Sequence, residues 1–308
     1  MRSNNGFGLG LVAILAACGG GGDDPPVNDT PVIEIVSTDI TLQPGDEKTF
    51  CFYFHTANTE TVAINKWVSE MSPGSHHMIY FSNLGSQPPD GTVDECSFND
   101  VIPLPVYGTQ IPHEEVDFPT DDGEGLPLAQ DITASTAGFF QMHYLNSTDQ
   151  PLTAHVELKA FALPKTTEYT QTDLFATYNN DIAIPPHATD FKVAATCDVV
   201  QGKFWSISTH SHKQTTATKI TDSADMVFQS TDWEHPGTKR FDEPFFSFAS
   251  NTISWECTYS NTGDNAENTV RAGQSARTNE MCMATGYYFP ANGPKGCFMS
   301  GGTCQCLL

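Results

Sequence analysis

Four short segments of the chain carry side chains that bind transition metals. They are His76-His77-Met78, Gln141-Met142-His143-Tyr144, His210-Ser211-His212 and Glu280-Met281-Cys282. Imidazole is a ligand for copper, zinc, iron and nickel alike, whereas a thioether favours reduced copper over the others. None of the candidate ligands is a cysteine, although structural zinc sites usually draw on thiolates. The mixture of imidazole and thioether therefore predicts copper.

The stretch from Lys203 to His212 predicts a β-strand that ends in a pair of histidines. Residues two apart on a pleated strand share a face, so His210 and His212 should point the same way, together with Ser208. Two imidazoles on one strand face would form a clamp for a metal ion. The polar neighbours predict that the pair lies outside a core, and a pair of surface histidines is the alternative for this segment taken alone.

The adjacent residues His76 and His77 need a different explanation, because neighbours on a regular strand face opposite sides. Both can bind one metal only if the backbone bends, or if the two rings use different rotamers and nitrogens. Turn-forming residues from Ser72 to Ser75 precede them and make a strand start plausible here.

His143 shares a predicted strand face with Gln141, whose amide could hydrogen-bond to a bound water or to a substrate. Taken alone, His143 is more typical of a structural histidine, and Met281 is more typical of a core residue. Their candidacy as ligands depends on the other segments.

The elements that must position these segments are β-strands. Short runs of β-branched and aromatic residues recur along the chain, with Pro, Gly, Asn and Asp between them. This pattern is typical of antiparallel sandwiches and barrels. We predict an all-β chain with two antiparallel β-sandwich (jelly-roll-like) domains in tandem. A proline and polar residues between Leu163 and Thr167 predict the boundary, which gives domains at residues 35–165 and 166–308.

The N-terminus predicts export. Arg2 precedes an apolar run from Leu9 to Ala17, which is too short to span a bilayer, and Leu15-Ala16-Ala17-Cys18 resembles a bacterial lipobox. We expect residues 1–18 to be a signal with Cys18 as the lipidated residue, and residues 19–34 to be a flexible Gly/Asp/Pro linker. The protein should then lie in the cell envelope, at the outer membrane or secreted, with its lipid as the sole membrane contact. An ordinary secretory signal is the alternative.

Cysteine count and charge agree with an exported protein. Besides Cys18, the chain has an even set of cysteines, which predicts a disulfide framework. Cys51 and Cys96 lie far from the others in sequence, so they should pair in the first domain, while Cys304 and Cys306 could instead be a soft metal pair. The formal net charge of −23 makes nucleic acid a poor partner.

The order and spacing of the four segments resemble the copper type II, ascorbate-dependent monooxygenases, which include peptidylglycine α-hydroxylating monooxygenase and dopamine β-monooxygenase. Each motif is weak alone, but the four in this order, over roughly residues 35 to 300, are specific. The resemblance implies two copper ions per chain, with Gln141 beside the first. That copper would be held by His76, His77 and His143 and would pass an electron. The second would be held by His210, His212 and Met281 and would bind dioxygen.

The resemblance also implies disulfide pairs. They are Cys51 with Cys96, Cys257 with Cys282, and Cys197 with Cys297, and they leave Cys304 and Cys306 over.

The activity implied by the resemblance is hydroxylation of a C–H bond in a small organic substrate, with dioxygen and a one-electron reductant such as ascorbate. Peptide hydroxylases of the family hold the substrate carboxylate with an arginine, an asparagine and a tyrosine, where this chain has Ser208, Met283 and Thr285. A peptide that ends in glycine is therefore expected to be a poor substrate, because no cation remains at these positions. A non-catalytic copper-binding lipoprotein for storage or delivery, and an adhesion module with incidental histidines, are the alternatives.

Overall fold

A computed structural model describes residues 30–96, 103–198 and 202–307. The predicted signal, Cys18 and residues 19–29 of the predicted linker lie outside these residues, whereas residues 30–34 of that linker are described and include the start of the first strand at Ile33. All secondary-structure elements of the described residues are β-strands, which confirms the predicted all-β, sandwich-like fold class. No helix that could cross a membrane occurs in the part of the chain that the structure describes.

The first half forms two main sheets. Their orders are β1-β12-β4-β9-β13, with β8 beside β4, and β6-β3-β10-β5-β7, and a small pair β11-β2 accompanies them. The strands are Ile33–Val36 (β1), Ile40–Leu42 (β2), Glu47–His55 (β3), Val62–Met71 (β4), Ser75–Asn83 (β5), Val93–Glu95 (β6), Pro103–Thr109 (β7), His113–Asp117 (β8), Leu128–Ile132 (β9), Ala137–Leu145 (β10), Leu152–Ala154 (β11), Val156–Ala162 (β12) and Thr170–Gln171 (β13).

The second half repeats this two-layer design. Its sheets have the orders β20-β17-β23-β14-β24-β25 and β16-β21-β18-β19, with a small pair β15-β22. The strands are Asp173–Asn179 (β14), Ala183–Ile184 (β15), Phe191–Asp198 (β16), Lys203–Ser211 (β17), Thr215–Asp222 (β18), Asp225–Ser230 (β19), Thr238–Arg240 (β20), Thr252–Tyr259 (β21), Val270–Arg271 (β22), Cys282–Phe289 (β23), Lys295–Ser300 (β24) and Thr303–Leu307 (β25).

Strand alternation explains where the N-terminal core lies. On β10, Phe140, Met142 and Tyr144 point inward and are fully buried among the side chains of the opposing sheet, such as Trp67. The alternate residues of β10, including His143, point to the other face of the same sheet. The sheet therefore packs its apolar face into its own sandwich and presents its histidine face to the second half of the chain.

The two halves also pack against each other through aromatic residues. Trp205 stacks on Tyr287 with ring centroids 4.8 Å apart, and Phe118 of the first half contacts both rings at 5.1 and 5.4 Å. Trp205 and Tyr287 belong to the same cluster of buried residues as the N-terminal core. This contact fixes the histidine face of one sandwich against β17 and β23 of the other.

Disulfides tie the sheets together, and one predicted pairing was wrong. Cys51 pairs with Cys96, and Cys257 pairs with Cys282, as the resemblance implied. The predicted pair of Cys197 with Cys297 is not formed, because β25 lies at the edge of its sheet and brings two more cysteines into reach. The remaining pairs are Cys197 with Cys304 and Cys297 with Cys306.

Candidate metal centre

A β-bulge in β5 brings the first three histidines together. His143 on β10 lies opposite His77, but the next pair is Tyr144 with Ser75, so His76 is the extra residue of the bulge. Both adjacent rings can therefore turn to one side, and their Nδ1 atoms lie 2.9 Å apart. Nitrogens of His76, His77 and His143 all fall within 4.8 Å of one another. The backbone bend that a shared site requires is present.

The second pair of histidines lies at the end of β17. The strand ends at Ser211, and His212 begins the turn that leads into β18. The rings of His210 and His212 lie on one side with centroids 5.3 Å apart. They are only 6% and 0% exposed, so the expectation that polar neighbours keep them out of the interior was wrong. Burial comes from the opposite sandwich, which no local pattern reveals.

Met281 is held directly beside this pair. On β23, Cys282 lies opposite Ser211 and Met283 lies opposite His210, so the register continued by one residue places Met281 opposite His212. Tyr259 donates a hydrogen bond to the carbonyl of Met281 at 3.1 Å, and the disulfide of Cys282 anchors the next residue. Directly opposed residues in an antiparallel pair share a face. Met281 and Met283 therefore belong to the strand face that carries the histidines.

The two histidine sets form one cluster at the interface between the sandwiches. The rings of His77 and His210 lie 4.9 Å apart, those of His76 and His210 lie 6.0 Å apart, and those of His143 and His212 lie 6.3 Å apart. The sequence predicted two separate pockets, whereas the structure brings all five imidazoles into contact across the interface.

Hydrogen bonds fix which nitrogen of each C-terminal histidine is free. His210 donates from Nδ1 to the side-chain oxygen of Gln110 at 2.6 Å, and His212 donates from Nδ1 to the carbonyl of Asn279 at 3.3 Å. The Nε2 atoms of both rings are buried and have no partner. Each ring therefore presents the lone pair of Nε2 to the cluster.

His143 uses the opposite arrangement. Its Nε2 donates to Glu47 at 3.0 Å, which leaves Nδ1 buried without a partner. Glu47 also accepts a bond from the backbone nitrogen of Arg277 at 3.1 Å and from the hydroxyl of Ser275, both on the second sandwich. Burial raises the pKa of Glu47, but these contacts outweigh it and leave the pKa below its ordinary value. Glu47 is therefore an anion that links His143 to the facing sandwich.

Burial and mutual repulsion keep the imidazoles uncharged. Burial, followed by the neighbouring His143, lowers the pKa of both His76 and His212 to about 3. Burial also holds the pKa values of His77 and His210 well below the ordinary range, with other rings of the cluster adding to the effect. Neutral imidazole is the form that binds metal ions. Several buried ring nitrogens without a partner, next to a thioether-bearing segment and away from any cysteine thiolate, fit copper.

Glu280 has a structural role that the sequence motif did not reveal. Its carboxylate accepts bonds from the backbone nitrogens of His212 at 3.1 Å and Gln214 at 2.6 Å, and from the hydroxyl of Thr215 at 3.1 Å. Burial raises its pKa to about 8 although these donors act in the other direction. Glu280 thus fixes the turn that carries His212 to the segment that carries Met281.

Trp233 is a further neighbour that sequence reasoning missed. It lies in the loop after β19 of the second sandwich, and its ring stacks on His76 of the first with centroids 5.1 Å apart and planes 21° apart. Asp232 accepts bonds from the backbone nitrogens of Glu234 and His235, so a local turn supports the loop. The sequence feature that could have identified Trp233 as a functional residue is a tryptophan within a polar loop.

Gln141 lies in the cluster region as predicted by its strand face, and it also contacts the other sandwich. Its amide nitrogen donates to the side-chain oxygen of Gln274 at 3.3 Å, and its side chain is 4% exposed. Gln141 therefore links the two sandwiches next to His143.

A cavity of about 410 Å³ opens between the two sandwiches, and its lining includes Ser208, Thr285 and Gln110, the hydrogen-bond partner of His210. Arg240 also lines it, with its guanidinium 5.0 Å from the ring centre of Trp205 and a hydrogen bond to the carbonyl of Asp117. A cation therefore borders the cavity from β20, although none stands at the positions where the family places it. Across the cavity, burial raises the pKa of Glu114 despite a bond from Thr109 and the charge of Arg240.

The alternative of a soft cysteine site is excluded for the cysteines at the C-terminal edge. Cys197, Cys304 and Cys306 lie within reach of one another, but all three are in disulfides. They offer no thiolate for a metal ion.

Comparison with known proteins identifies the second half of the chain. Residues 171–306 match the model of the C-terminal domain of the copper type II ascorbate-dependent monooxygenases, which confirms the resemblance for this part of the chain. The match contains His210, His212 and Met281. No curated protein matches the chain.

Solved structures with similar strand arrangements are distant. PBCV-1 VP54, fitted into a reconstruction of the virophage Sputnik, has 9% identity and a TM-score of 0.28, with 91% of this chain and 96% of that chain covered. The STIV MCP has 7% identity and a TM-score of 0.29, with 85% and 95% covered.

Proposed function

We propose, from the match of residues 171–306 to the C-terminal domain of the copper type II ascorbate-dependent monooxygenases, that the chain is a copper-dependent monooxygenase. It would hydroxylate a C–H bond of a small organic substrate with dioxygen and a one-electron reductant such as ascorbate. The observation that carries the proposal is the convergence of five buried imidazoles, on two sandwiches, with unpartnered ring nitrogens in four of them.

In this proposal the histidines form two ligand sets. His76, His77 and His143 would hold one copper, and the lone pair on Nδ1 of His143 supports that assignment. His210, His212 and Met281 would hold the second, and the free Nε2 atoms of the two rings support it. Copper bound there would supply one-electron chemistry and dioxygen activation, which no side chain of the protein offers.

The chain's own residues would orient the ligands and shield them. Glu47 and Gln110 hold the ring orientations of His143 and His210, and Glu280 holds the turn of His212. Outer contacts of this kind keep metal ligands in place and adjust their basicity. The burial of the cluster between the sandwiches would exclude bulk water from the reacting centre.

The cavity between the two sandwiches is our candidate substrate site. Ser208 and Thr285 offer hydroxyl groups there, and Arg240 and Glu114 offer one charge of each sign. Such a lining suits a small polar molecule better than a long apolar chain. Because the Arg240 guanidinium is engaged with Trp205 and Asp117, we expect a substrate carboxylate to gain little from it.

The proposed hydroxylation has a defined stoichiometry. One substrate C–H bond, dioxygen, two electrons and two protons give one C–OH group and one water, and two ascorbate molecules supply the electrons singly. Copper-loaded protein should be incubated with ascorbate and ¹⁸O₂ and with a panel of small metabolites, followed by an untargeted mass search for products that gain one ¹⁸O atom. We expect such a product with the unaltered chain and none with His210→Ala.

His187→Ala provides the matched control, because the His187 side chain is 62% exposed and pairs with Glu267 at 3.4 Å, away from the cluster. It should retain product formation. Tight binding of two coppers without any labelled product across the panel would instead favour the alternative, a copper storage or delivery protein. The replacement of the family's carboxylate-binding arginine by Ser208 is the observation that keeps this alternative open.

A further inference from the structure

Gln110 of the first sandwich makes two hydrogen bonds to consecutive residues of the second. Its side-chain oxygen accepts the Nδ1 proton of His210 at 2.6 Å, and its amide nitrogen donates to the carbonyl of Thr209 at 3.1 Å. Gln110 follows the last residue of β7, where Thr109 bonds to both the nitrogen and the carbonyl of Ile111 and so forms a tight turn. The side chain is thus held in position at both ends.

The second hydrogen bond decides the orientation of the first. A glutamine amide can present either its oxygen or its nitrogen to a histidine. Because the nitrogen of Gln110 is engaged by the Thr209 carbonyl, the oxygen must face His210. An acceptor at this place keeps the proton on Nδ1 and leaves the lone pair on Nε2, which is buried and without a partner.

We propose that Gln110 is a positioning residue that fixes the tautomer and ring orientation of His210, and that the second ligand set is therefore completed only by the other sandwich. This inference rests on the proposed function, in which His210 holds copper through Nε2. Gln110 makes no hydrogen bond to Met281 or His212 among the described residues, so its effect on the second ligand set passes through His210 and the adjacent backbone of Thr209.

Glu47 is a second residue whose hydrogen bonds connect a ligand set of one sandwich to the other sandwich. It holds His143 of its own sandwich, while the backbone of Arg277 and the hydroxyl of Ser275 hold Glu47 from the second sandwich. Each ligand set is therefore supported by a hydrogen bond that crosses the interface. Docking of the two sandwiches and the geometry of both sets are linked.

The test compares three variants of the full chain without substrate or reductant turnover. Gln110→Leu removes the acceptor at nearly constant size, and Gln110→Glu restores an acceptor. Gln87→Leu is the matched control, because Gln87 is also a partly buried glutamine whose amide donates to a backbone carbonyl, that of Phe54 at 3.0 Å. Copper stoichiometry, Cu(I) affinity by chelator competition and the Cu(II) electron paramagnetic resonance spectrum are measured for each.

We expect Gln110→Leu to weaken one of two bound coppers by about 10- to 100-fold and to alter one of two Cu(II) signals, while the other copper is unchanged. Gln110→Glu restores the acceptor for His210 but not the donor to Thr209, so it should recover part of the affinity, and Gln87→Leu should match the unaltered chain. If Gln110→Leu does not fold, Gln110→Glu and Gln110→Asn are compared to test the role of Gln110. Asparagine keeps the amide but is too short to reach His210.

Three results would overturn the inference, and they are distinguishable. Wild-type affinity and spectra for both coppers in Gln110→Leu or Gln110→Asn would refute the role of Gln110 while leaving the proposed function intact. An unaltered chain that takes up no copper would refute the proposed function and this inference with it. Equal weakening of both coppers, without recovery in Gln110→Glu, would show that Gln110 merely holds the interface.

Discussion

Replacing Glu47 by glutamine should weaken the N-terminal ligand set selectively. The carboxylate accepts the Nε2 proton of His143 at 3.0 Å and the backbone proton of Arg277 at 3.1 Å, and its pKa is lowered by these contacts although burial, the largest effect, raises it. Glu47→Gln keeps the shape and one accepting oxygen but removes the charge. A hydrogen bond to a charged group contributes about 1.5–3 kcal/mol, against about 0.5–1.5 kcal/mol for a neutral pair.

The expected loss follows from that difference. The bond to His143 should weaken by about 1–1.5 kcal/mol, which corresponds to about a tenfold loss of copper affinity at the set that contains His143. Because a carboxylate makes the imidazole more basic, the loss should be larger for Cu(II) than for Cu(I). A tenfold difference between the two oxidation states would raise the midpoint potential by about 59 mV.

Chelator competition and a redox titration of the copper-loaded protein measure both quantities. Glu95→Gln is the matched control, since Glu95 lies on the neighbouring strand β6 and its exposed carboxylate pairs with Lys48 at 3.3 Å. Glu47→Ala, which removes the acceptor altogether, should lose more affinity than Glu47→Gln. If Glu47→Gln binds copper as tightly as Glu95→Gln and shows the same potential, the reasoning that links Glu47 to the metal set is refuted.

Three further perturbations have defined outcomes. Trp233→Phe should abolish most of the fluorescence quenching by Cu(II), because Trp233 stacks directly on His76, and a titration that shows unchanged quenching would contradict this placement. Met281→Ala should reduce substrate-coupled dioxygen consumption more than copper stoichiometry, because His210 and His212 remain, whereas equal loss of both coppers by metal analysis would contradict the assignment. Burial raises the pKa of Asp173 to about 6, above its ordinary 3.8, so the native state binds the extra proton between these values. The contribution of Asp173 to the free energy of unfolding should therefore fall by about 2 kcal/mol as the pH rises from about 4 to about 6, and Asp173→Asn should remove that contribution in urea unfolding series at several pH values.

Local sequence patterns were sufficient for the fold class and for the local geometry of each histidine segment. Alternation on β10 correctly places His143 on the face opposite to that of Met142 and Tyr144, which lie in the N-terminal core. The need for a backbone bend at His76 and His77 was also deducible, because adjacent residues on a regular strand cannot share a face. The bulge opposite His143 satisfies that need.

Long-range contacts set the limit of such reasoning. The burial of His210 and His212, the pairing of Cys197 with Cys304 and the roles of Glu47 and Gln110 all depend on residues that are far apart in the chain. The separation between Gln110 and His210 is 100 residues, and that between Glu47 and His143 is 96. Strand periodicity describes only which face a residue occupies, and it carries no information about what covers that face.

Hydrogen bonds from Glu47 and Gln110 determine which ring nitrogen is free in the cluster that forms where the sequence suggested two pockets. Nδ1 lies closer to the backbone of its own residue than Nε2 does. Glu47 leaves His143 with a free Nδ1, so His143 offers its lone pair close to its own sheet, whereas His76 of the same set has a free Nε2. Gln110 leaves His210 with a free Nε2, and the ring centre of His210 lies 4.9 Å from that of His77 across the interface. The choice of nitrogen, set by Glu47 and Gln110, thus decides how far His143 and His210 reach from their strands, and both rings lie in the cluster that forms where the two sandwiches meet.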